Sequence, residues 1–352
     1  MSRRAVTLLI ASVGVIGALL AAALLPVPYV SLMPGPTFNT LGTQSGSQGG
    51  KDAAPIIQIS GRRTYPTDGH LNMVTVSYIG GPGYRPPFNV FAALQAWLSP
   101  HNAVVPQQEL FPPGQTQQQV SRQDTEEMAN SQQAATAAAL CQLGIKFTTD
   151  DTIVSTIKGL PAHGVLHAGD VIEAVNGTQV GCKASAASLI EAKPAGHKVT
   201  LTISHAGKLS KVTLTTRSSG GEPVIGVRVV ESWVFPFKVK ITLSNVGGPS
   251  AGMMFALGII DKLTPMNLTN GKFIAGTGEI EADGTVDPIG GIQQKMAAAR
   301  AAGATVFLTP AANCPDTAGA VPAGLRLVKV STLSGAIAAL QAIKAGRSVP
   351  GC

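Results

Sequence analysis

With 352 residues, 45% of them hydrophobic and only 13% charged, the chain has room for two domains of ordinary size and enough apolar side chains to give each a core. Its 40 glycines and 24 prolines describe a loop-rich globular protein and exclude both a coiled coil and a disordered chain. The 26 basic and 19 acidic residues leave a net charge of +7, scattered without a basic run or interleaved aromatics. That pattern excludes nucleic acid as a partner and is better suited to mild attraction to an anionic membrane surface.

Residues 5–25 are uncharged and rich in Leu, Ala, Val and Ile, a run long enough to cross a hydrocarbon core of ~30 Å. Arg3 and Arg4 precede it. The positive-inside preference therefore predicts a cytoplasmic tail at residues 1–4, a transmembrane signal-anchor at 5–25, and everything after Pro26 outside the cytoplasm. A cleaved signal peptide is the rival reading, since Ala21-Ala22-Ala23 offers small residues for cleavage. The apolar run continues through Leu24 and Leu25 and exceeds the ~7–15-residue core of such peptides, which favours the anchor.

Residues 26–142 form a membrane-proximal segment. GRRTYPTDGHLNMVTVSYIG alternates like paired strands, the stretch 80–120 with VVPQQELFPPGQTQQQV reads mostly as loop, and MANSQQAATAAALCQL reads as a helix led by Asp124, Glu126 and Glu127. From 143 to 217 the pattern changes to a second module. In VSTIKGLPAHGVLHAGDVIEAVNGTQV a strand carrying Ile172, Ala174 and Val175 runs between a Gly169-Asp170 turn and an Asn176-Gly177 turn. An Ala-rich helix near residues 183–192 and the strands KVTLTIS and KVTLTT follow.

Residues 218–352 carry the chemistry. Gly247, Gly248 and Pro249 make a tight turn ahead of Ser250, and the apolar stretch 251–263 reads as a helix, so Ser250 stands at a helix N-terminus where free backbone N–H groups can hold an oxyanion. Lys295 lies in GGIQQKMAAARAAGA, where Ile292, Met296, Ala297, Ala298 and Ala299 leave little polar surface; a lysine so desolvated can act as a general base near neutral pH. The bland readings are an N-cap serine and a solvated lysine. Between the two, TGEI and ADGTVDPIGG read as two short strands around an Asp283-Gly284 turn. None of the six histidines has the context of a triad member, and no GxxxxGK[ST] loop is present, so neither ATP nor any other cofactor is expected.

The four cysteines, Cys141, Cys182, Cys314 and Cys352, show no CxxC spacing and no nearby histidine in a zinc pattern, so no metal is expected. Three pairings are possible. Cys141 with Cys182 and Cys314 with Cys352 is preferred, because each pair then falls within one domain and the second ties down the C-terminal tail; four free buried thiols are the alternative.

The stretch 241–310 resembles the proteolytic domain of the Lon proteases. The resemblance implies Ser250 as nucleophile, Lys295 as base, Thr277 of TGEI as the hydrogen-bonding partner that orients the lysine, and Gly248 and Pro249 as the turn at the oxyanion site. Many Lon proteases have an acid directly before the GPSAG glycine, whereas this chain has Gly247. The stretch 143–216 resembles a PDZ domain of the bacterial protease-associated kind, most of all in GDVIEAVNG. That implies a peptide groove with a carboxylate loop at Leu143-Gly144-Ile145 and a helical wall at Ala187 and Ile190; Gly144 can equally be the C-cap of the preceding helix. The Lon-like domain begins with a glycine-leucine strand and an M-x-x-S-x-x-A helix, to which Gly69, Leu71 and residues 128–135 correspond. The second module thus reads as inserted into the peptidase domain, leaving it before a strand at 233–243; a separate membrane-proximal domain is the alternative.

The whole order is similar to the bacterial membrane-anchored PDZ-containing Lon-like peptidases. It implies an α/β (α+β) peptidase fold beside a small β-rich PDZ domain and one N-terminal transmembrane helix. The implied activity is ATP-independent serine endopeptidase chemistry, on polypeptide substrates with free C-termini in the envelope or at the membrane, by a homo-oligomer expected to be a hexamer. A catalytically silent PDZ adaptor and a structural envelope protein are the other classes.

Overall fold

The computed structural model describes residues 3–44, 54–244 and 246–352; Met1 and Ser2, from the tail expected at 1–4, lie outside them. The first element is a helix, Arg3–Leu24, of mean hydropathy 2.4, with no residue buried against the rest of the chain. At 1.5 Å per residue its 22 residues span about 33 Å, long and apolar enough to cross a membrane.

At the foot of that helix Asn89 makes two bonds. Its Nδ2 donates to the Ala23 carbonyl at 2.7 Å, and its Oδ1 accepts from the Ala92 N–H at 2.9 Å, which caps the helix Val90–Trp97. The stretch 80–120, expected mostly as loop, therefore holds this helix, the strand Ala103–Pro106 and a short helix, Gln107–Leu110. The 3.6-residue period was hidden because its polarity is inverted: Ala96 is buried, while Val90, Phe91, Leu94, Trp97 and Leu98 are exposed.

The main domain is built on a six-stranded sheet in the order Arg326–Val330, Val306–Pro310, Phe273–Gly276, His70–Gly80, Tyr29–Asn39 and Ala103–Pro106. The first four strands pair in parallel and the remaining pairs are antiparallel. Parallel neighbours need a crossover, and the helix Ile292–Ala301 supplies one between Phe273–Gly276 and Val306–Pro310. One core joins both ends of the chain: Leu71 and Met73 from the early strand and Met128, Ala135 and Leu140 from the long helix Gln117–Gln142 pack with Met253 to Ile260, Leu308 and Leu340. The helix Gly252–Leu263 is apolar on nearly every side and is correspondingly buried on every side.

The second module has its own core, in which Ile153, Leu166, Ile172, Val199, Leu201 and Ile225 pack with Ala186 and Ile190 of the helix Ala186–Glu191. Its sheet runs Lys208–Thr215, Lys198–His205, Val171–Val175, Thr148–Thr156, Val227–Val234. The last strand corrects the boundary set at 217. VRVVESWV pairs antiparallel with Thr148–Thr156 through Val234, so the module extends at least that far. The strand expected at 233–243 is shorter, Lys238–Ile241, and pairs with Ile57–Ser60 of the main domain.

Cys141 and Cys182 are disulfide-bonded, as are Cys314 and Cys352, with Cα atoms 5.9 and 5.1 Å apart. The first bond is not internal to one module. Cys141 sits on the last turn of the long helix, whose inner face belongs to the main core, and Cys182 belongs to the loop after Thr178–Gln179, so the bond ties the two modules together. Closing chain segments of 41 and 38 residues contributes about 3–4 kcal/mol each in the chain-entropy model. The double substitution Cys141→Ser/Cys182→Ser is accordingly expected to lower the denaturation midpoint, and reductant to shift the midpoint of the parent more than that of the variant. An unchanged midpoint on full reduction of the parent contradicts this.

Candidate active site

The loop before Ser250 is held by the long helix at two points. The Gly248 N–H donates to the Asp124 carbonyl at 2.9 Å, and Ser131 Oγ donates to the Pro249 carbonyl at 2.8 Å. Position 247 lies against the same helix: a Cβ there would stand 2.6 Å from Asp124 Cβ. The acid that many Lon proteases carry at this position has no room here, and Asp124 itself lines the cleft beside the loop.

The helix begins at Gly252 with Ala251 as its cap residue and no side-chain cap bond, so Ser250 is not an N-cap. Its N–H and that of Ala251 donate to no protein group among the described residues, whereas the Gly248 N–H is engaged and Pro249 has none. Gly248 and Pro249 thus shape the turn, and Ser250 and Ala251 hold the donors available to an oxyanion.

Lys295 arrives from the opposite side, on the first turns of Ile292–Ala301, where Ile292, Met296 and Ala299 pack into a satellite core with Val74, Ala275 and Phe307. It is 3% exposed, and its Nζ lies 2.7 Å from Ser250 Oγ and 3.1 Å from Thr277 Oγ1. Burial alone, with no neighbouring charge acting on it, lowers the ammonium from 10.5 to about 7. Thr277, fully buried, donates its hydroxyl proton to the Ser250 carbonyl at 2.9 Å. With that proton committed, Thr277 Oγ1 can only accept from Lys295, which fixes the amine beside Ser250.

A hairpin completes the surroundings. Glu279–Ile280 pairs with Val286–Asp287, and at its base the Gly278 N–H donates to the Ser250 carbonyl at 2.9 Å while the Gly278 carbonyl accepts from the Met253 N–H at 3.0 Å. Ser250 and Lys295 open into a cleft of about 860 Å³, bordered by residues 73–78 of the central strand and by Asp124, Glu127 and Met128 of the long helix. Burial and then Glu127 raise the Asp124 carboxyl above its ordinary value.

A second concavity lies in the smaller module. Leu143-Gly144-Ile145 is not part of it: the Gly144 N–H donates to Cys141 O and the Ile145 N–H to Leu140 O, a Schellman ending to the long helix, and these residues lie on another side of the module. Ala187 and Ile190 do line a groove of about 350 Å³, whose opposite wall is Val224, Ile225, Gly226, Val227 and Val229. Gly226 has φ +82°, and any Cβ would strike Leu160 Cβ at 2.2 Å, so only glycine makes this bend. A glycine between apolar residues directly ahead of an alternating strand, PVIGVRVV, was the signal that sequence reading passed over. The strand it leads into, Val227–Val234, is an edge of the sheet, and among the described residues no other strand pairs with its groove side.

Residues 244–340 match the family model of the Lon protease (S16) C-terminal proteolytic domain, and residues 141–216 match that of the PDZ domain. The Lon protease of Roseiflexus castenholzii is 46% identical over 69 residues, 20% of this chain and 8% of that protein. The Lon protease of Desulforamulus reducens is 30% identical over 185 residues, 49% of this chain and 22% of that protein. The alignments thus reach less than a quarter of either relative's length. A crystal structure of the PDZ domain of an SdrC-like protein from Listeria monocytogenes is 30% identical over 24% of this chain and 93% of that domain, at a TM-score of 0.22.

The electrostatics of Lys295 give a two-part expectation. If Lys295 must be neutral to accept a proton, kcat/KM for a peptide substrate rises with pH through about 7 and is lost below it. For stability the sign is opposite to that of a paired lysine: the folded-state value lies below the unfolded one, so the penalty is whole below 7 and relieved as pH rises toward 10.5. Lys295→Met is therefore expected to abolish turnover yet raise Tm, by more at pH 6 than at pH 9. A Tm lowered at pH 6 contradicts the buried, uncompensated amine.

Proposed function

Because the chain carries a Lon-type (S16) proteolytic domain and a PDZ domain, we propose that it is an ATP-independent serine endopeptidase in which Ser250 and Lys295 form the catalytic dyad and the PDZ groove selects substrates by their C-termini. The observation that carries this reading is the 2.7 Å approach of Lys295 Nζ to Ser250 Oγ, inside a site where the amine meets no carboxylate.

Neutral Lys295 takes the Ser250 proton as Oγ attacks the scissile carbonyl carbon, and the oxyanion lies against the Ser250 and Ala251 N–H groups. Lys295 then gives that proton to the departing amine, leaving an acyl ester on Ser250. A water, deprotonated by Lys295, attacks the ester, and the returned proton restores Ser250 as the new carboxyl product leaves. Thr277 keeps the lysine aimed throughout. With no P-loop in the sequence, no step uses nucleotide, so substrates are chains already extended or unfolded.

The apolar Arg3–Leu24 helix supports a single-pass anchor, with Arg3 on the cytoplasmic side and both domains outside. The helix Val90–Trp97 adds to this: bonded to the anchor's foot through Asn89, it exposes Phe91, Leu94 and Trp97, the last 71% exposed, where a bilayer surface would cover them. By analogy with ring-forming Lon domains the protein is a homo-oligomer, and a hexamer is the expected state.

A serine-directed fluorophosphonate is expected to label the purified protein without added ATP and to leave Ser250→Ala unlabelled. Equal labelling of both proteins removes Ser250 as nucleophile, and dependence on ATP removes nucleotide independence. For the groove, amidating the C-terminus of a bound peptide is expected to weaken binding about tenfold, since charge-assisted bonds to the loop at Gly226 are lost. Unchanged affinity on amidation overturns C-terminal recognition.

A further inference from the structure

Next to the peptide groove, where the PDZ module meets the peptidase hairpin, lies a cavity of about 190 Å³ lined by Asp151, Glu191, Glu231, Trp233, Glu281 and Asp283. Three of these belong to the PDZ sheet, Glu191 to its helix, and Glu281 and Asp283 to the tip of the hairpin whose base holds the Ser250 carbonyl. Among the described residues no lysine or arginine lines it. Asp151 is 1% exposed; its Oδ2 accepts from the Ala186 N–H at 3.0 Å, but its other oxygen, buried, has no partner among the described residues, and neither has the buried Trp233 Nε1. Burial, then Asp151, Glu281 and Asp283, raise Glu231 to about 7, with no cation among the groups acting on it. A buried carboxylate oxygen without a donor is costly unless something outside the chain supplies one.

The strand geometry says what could supply it. Along Val227–Val234 exposure alternates strictly: Val227, Val229, Glu231 and Trp233 are half-buried and face the groove, while Arg228, Val230, Ser232 and Val234 are exposed. Val227 and Val229 line the apolar groove with Ile190 and Leu160, and Glu231 lies at the junction of groove and acidic cavity. An extended peptide added to this edge with its carboxylate at the Gly226 loop runs antiparallel to the strand, so its residues pair in steps of one and present alternate side chains to the groove. If the last residue lies opposite Val227, the residue two earlier faces Val229 and the residue four earlier faces Glu231. From this juxtaposition we infer that the cavity is a specificity pocket for a lysine or arginine four residues before the substrate's C-terminus, which the carboxylates of Asp151, Glu231 and the hairpin tip receive as ammonium or guanidinium. This inference rests on the PDZ reading above and names the substrate class it selects: chains ending in an apolar residue with a basic side chain at the fourth position upstream.

The test uses the full chain carrying Ser250→Ala, so that peptides are bound and not cut, and reads fluorescence anisotropy of labelled decapeptides ending in free Val at pH 8 and low salt. Lys at the fourth position upstream is expected to tighten binding about tenfold over Ala, and Glu there to weaken it. Lys at the third position, whose side chain points to the other face, gives no gain. Glu231→Gln, an isosteric change that removes a charge held at a cost, is expected to abolish most of the lysine gain, read as the ratio of Lys-peptide to Ala-peptide affinity within the same variant. Equal affinity of the Lys and Ala peptides, an equal gain at the third position, or a gain untouched by Glu231→Gln each overturns the pocket. The amidated Ala peptide separates the two layers: if it binds as well as the free acid, C-terminal recognition itself falls; if it binds more weakly while the lysine effect is missing, only the pocket falls.

Discussion

The site depends on one unfavourable burial, that of the Lys295 amine. An ammonium taken out of water with no carboxylate beside it is held at a cost that must be met elsewhere in the fold. Here the cost is met by packing. The first turns of Ile292–Ala301 pack against the central strands through Ile292, Met296 and Ala299, so moving the lysine outward unpacks them from Val74, Ala275 and Phe307. A carboxylate partner would have been the cheaper arrangement for stability, and it would have raised the amine's proton affinity beyond use as a base. Two hydroxyls, from Ser250 and Thr277, give the amine hydrogen-bond partners without adding charge. What is neutral in this site is as consequential as what is polar.

The long helix Gln117–Gln142 is what makes the nucleophile loop as rigid as the base. Its backbone at Asp124 and its hydroxyl at Ser131 grip the loop on the two residues before Ser250, and its last turn ends in a Schellman motif and a disulfide to the PDZ module. One element therefore fixes both the Ser250 loop and the attachment of the PDZ module. The insertion of the PDZ chain between this helix and the rest of the peptidase core places its root a few turns from Ser250. Because the helix belongs to the common core, the module is carried by the same packing that carries the site.

Legibility in the sequence followed how local the determining interactions are. Ser250 and Lys295 stood out because turn glycines and an Ala-rich helix mark them within a few residues, whereas Thr277 was implied only by the resemblance to the Lon proteolytic domain; the PDZ strands were readable because their alternation and their Asn-Gly turn are local. The groove loop at Gly226 was missed because sequence order put it at the end of the module. Strand Val227–Val234 closes the sheet next to Thr148–Thr156, a pairing seen only in three dimensions. The helix Val90–Trp97 was missed because its large apolar residues face outward and its alanines inward, the reverse of what a core helix displays. Nothing in GGPSAG shows that the Gly248 N–H is taken by the carbonyl of Asp124, a residue more than a hundred positions earlier.

The two sites share an electrostatic logic with opposite signs. Lys295 holds a raised free energy in its charged form, and its penalty persists at every pH below about 7 and fades only toward 10.5. Glu231 is the mirror case. Its folded-state value, about 7, lies above the ordinary 4.5, so its penalty is absent in acid, grows between those values and is whole above the upper one. Near neutrality the fold therefore bears both penalties at once, one for a cation kept ready to lose a proton and one for an anion kept without a cation. Two disulfides and a core that unites the chain's two halves offset them. The hairpin Glu279–Asp287 connects the two places where the penalties are held: its base bonds the Ser250 carbonyl and its tip presents Glu281 and Asp283 to Glu231. With only two residues in each strand, the hairpin has little length over which to absorb a displacement. Two of the seam's carboxylates and the bonds to the Ser250 loop thus sit on one short element.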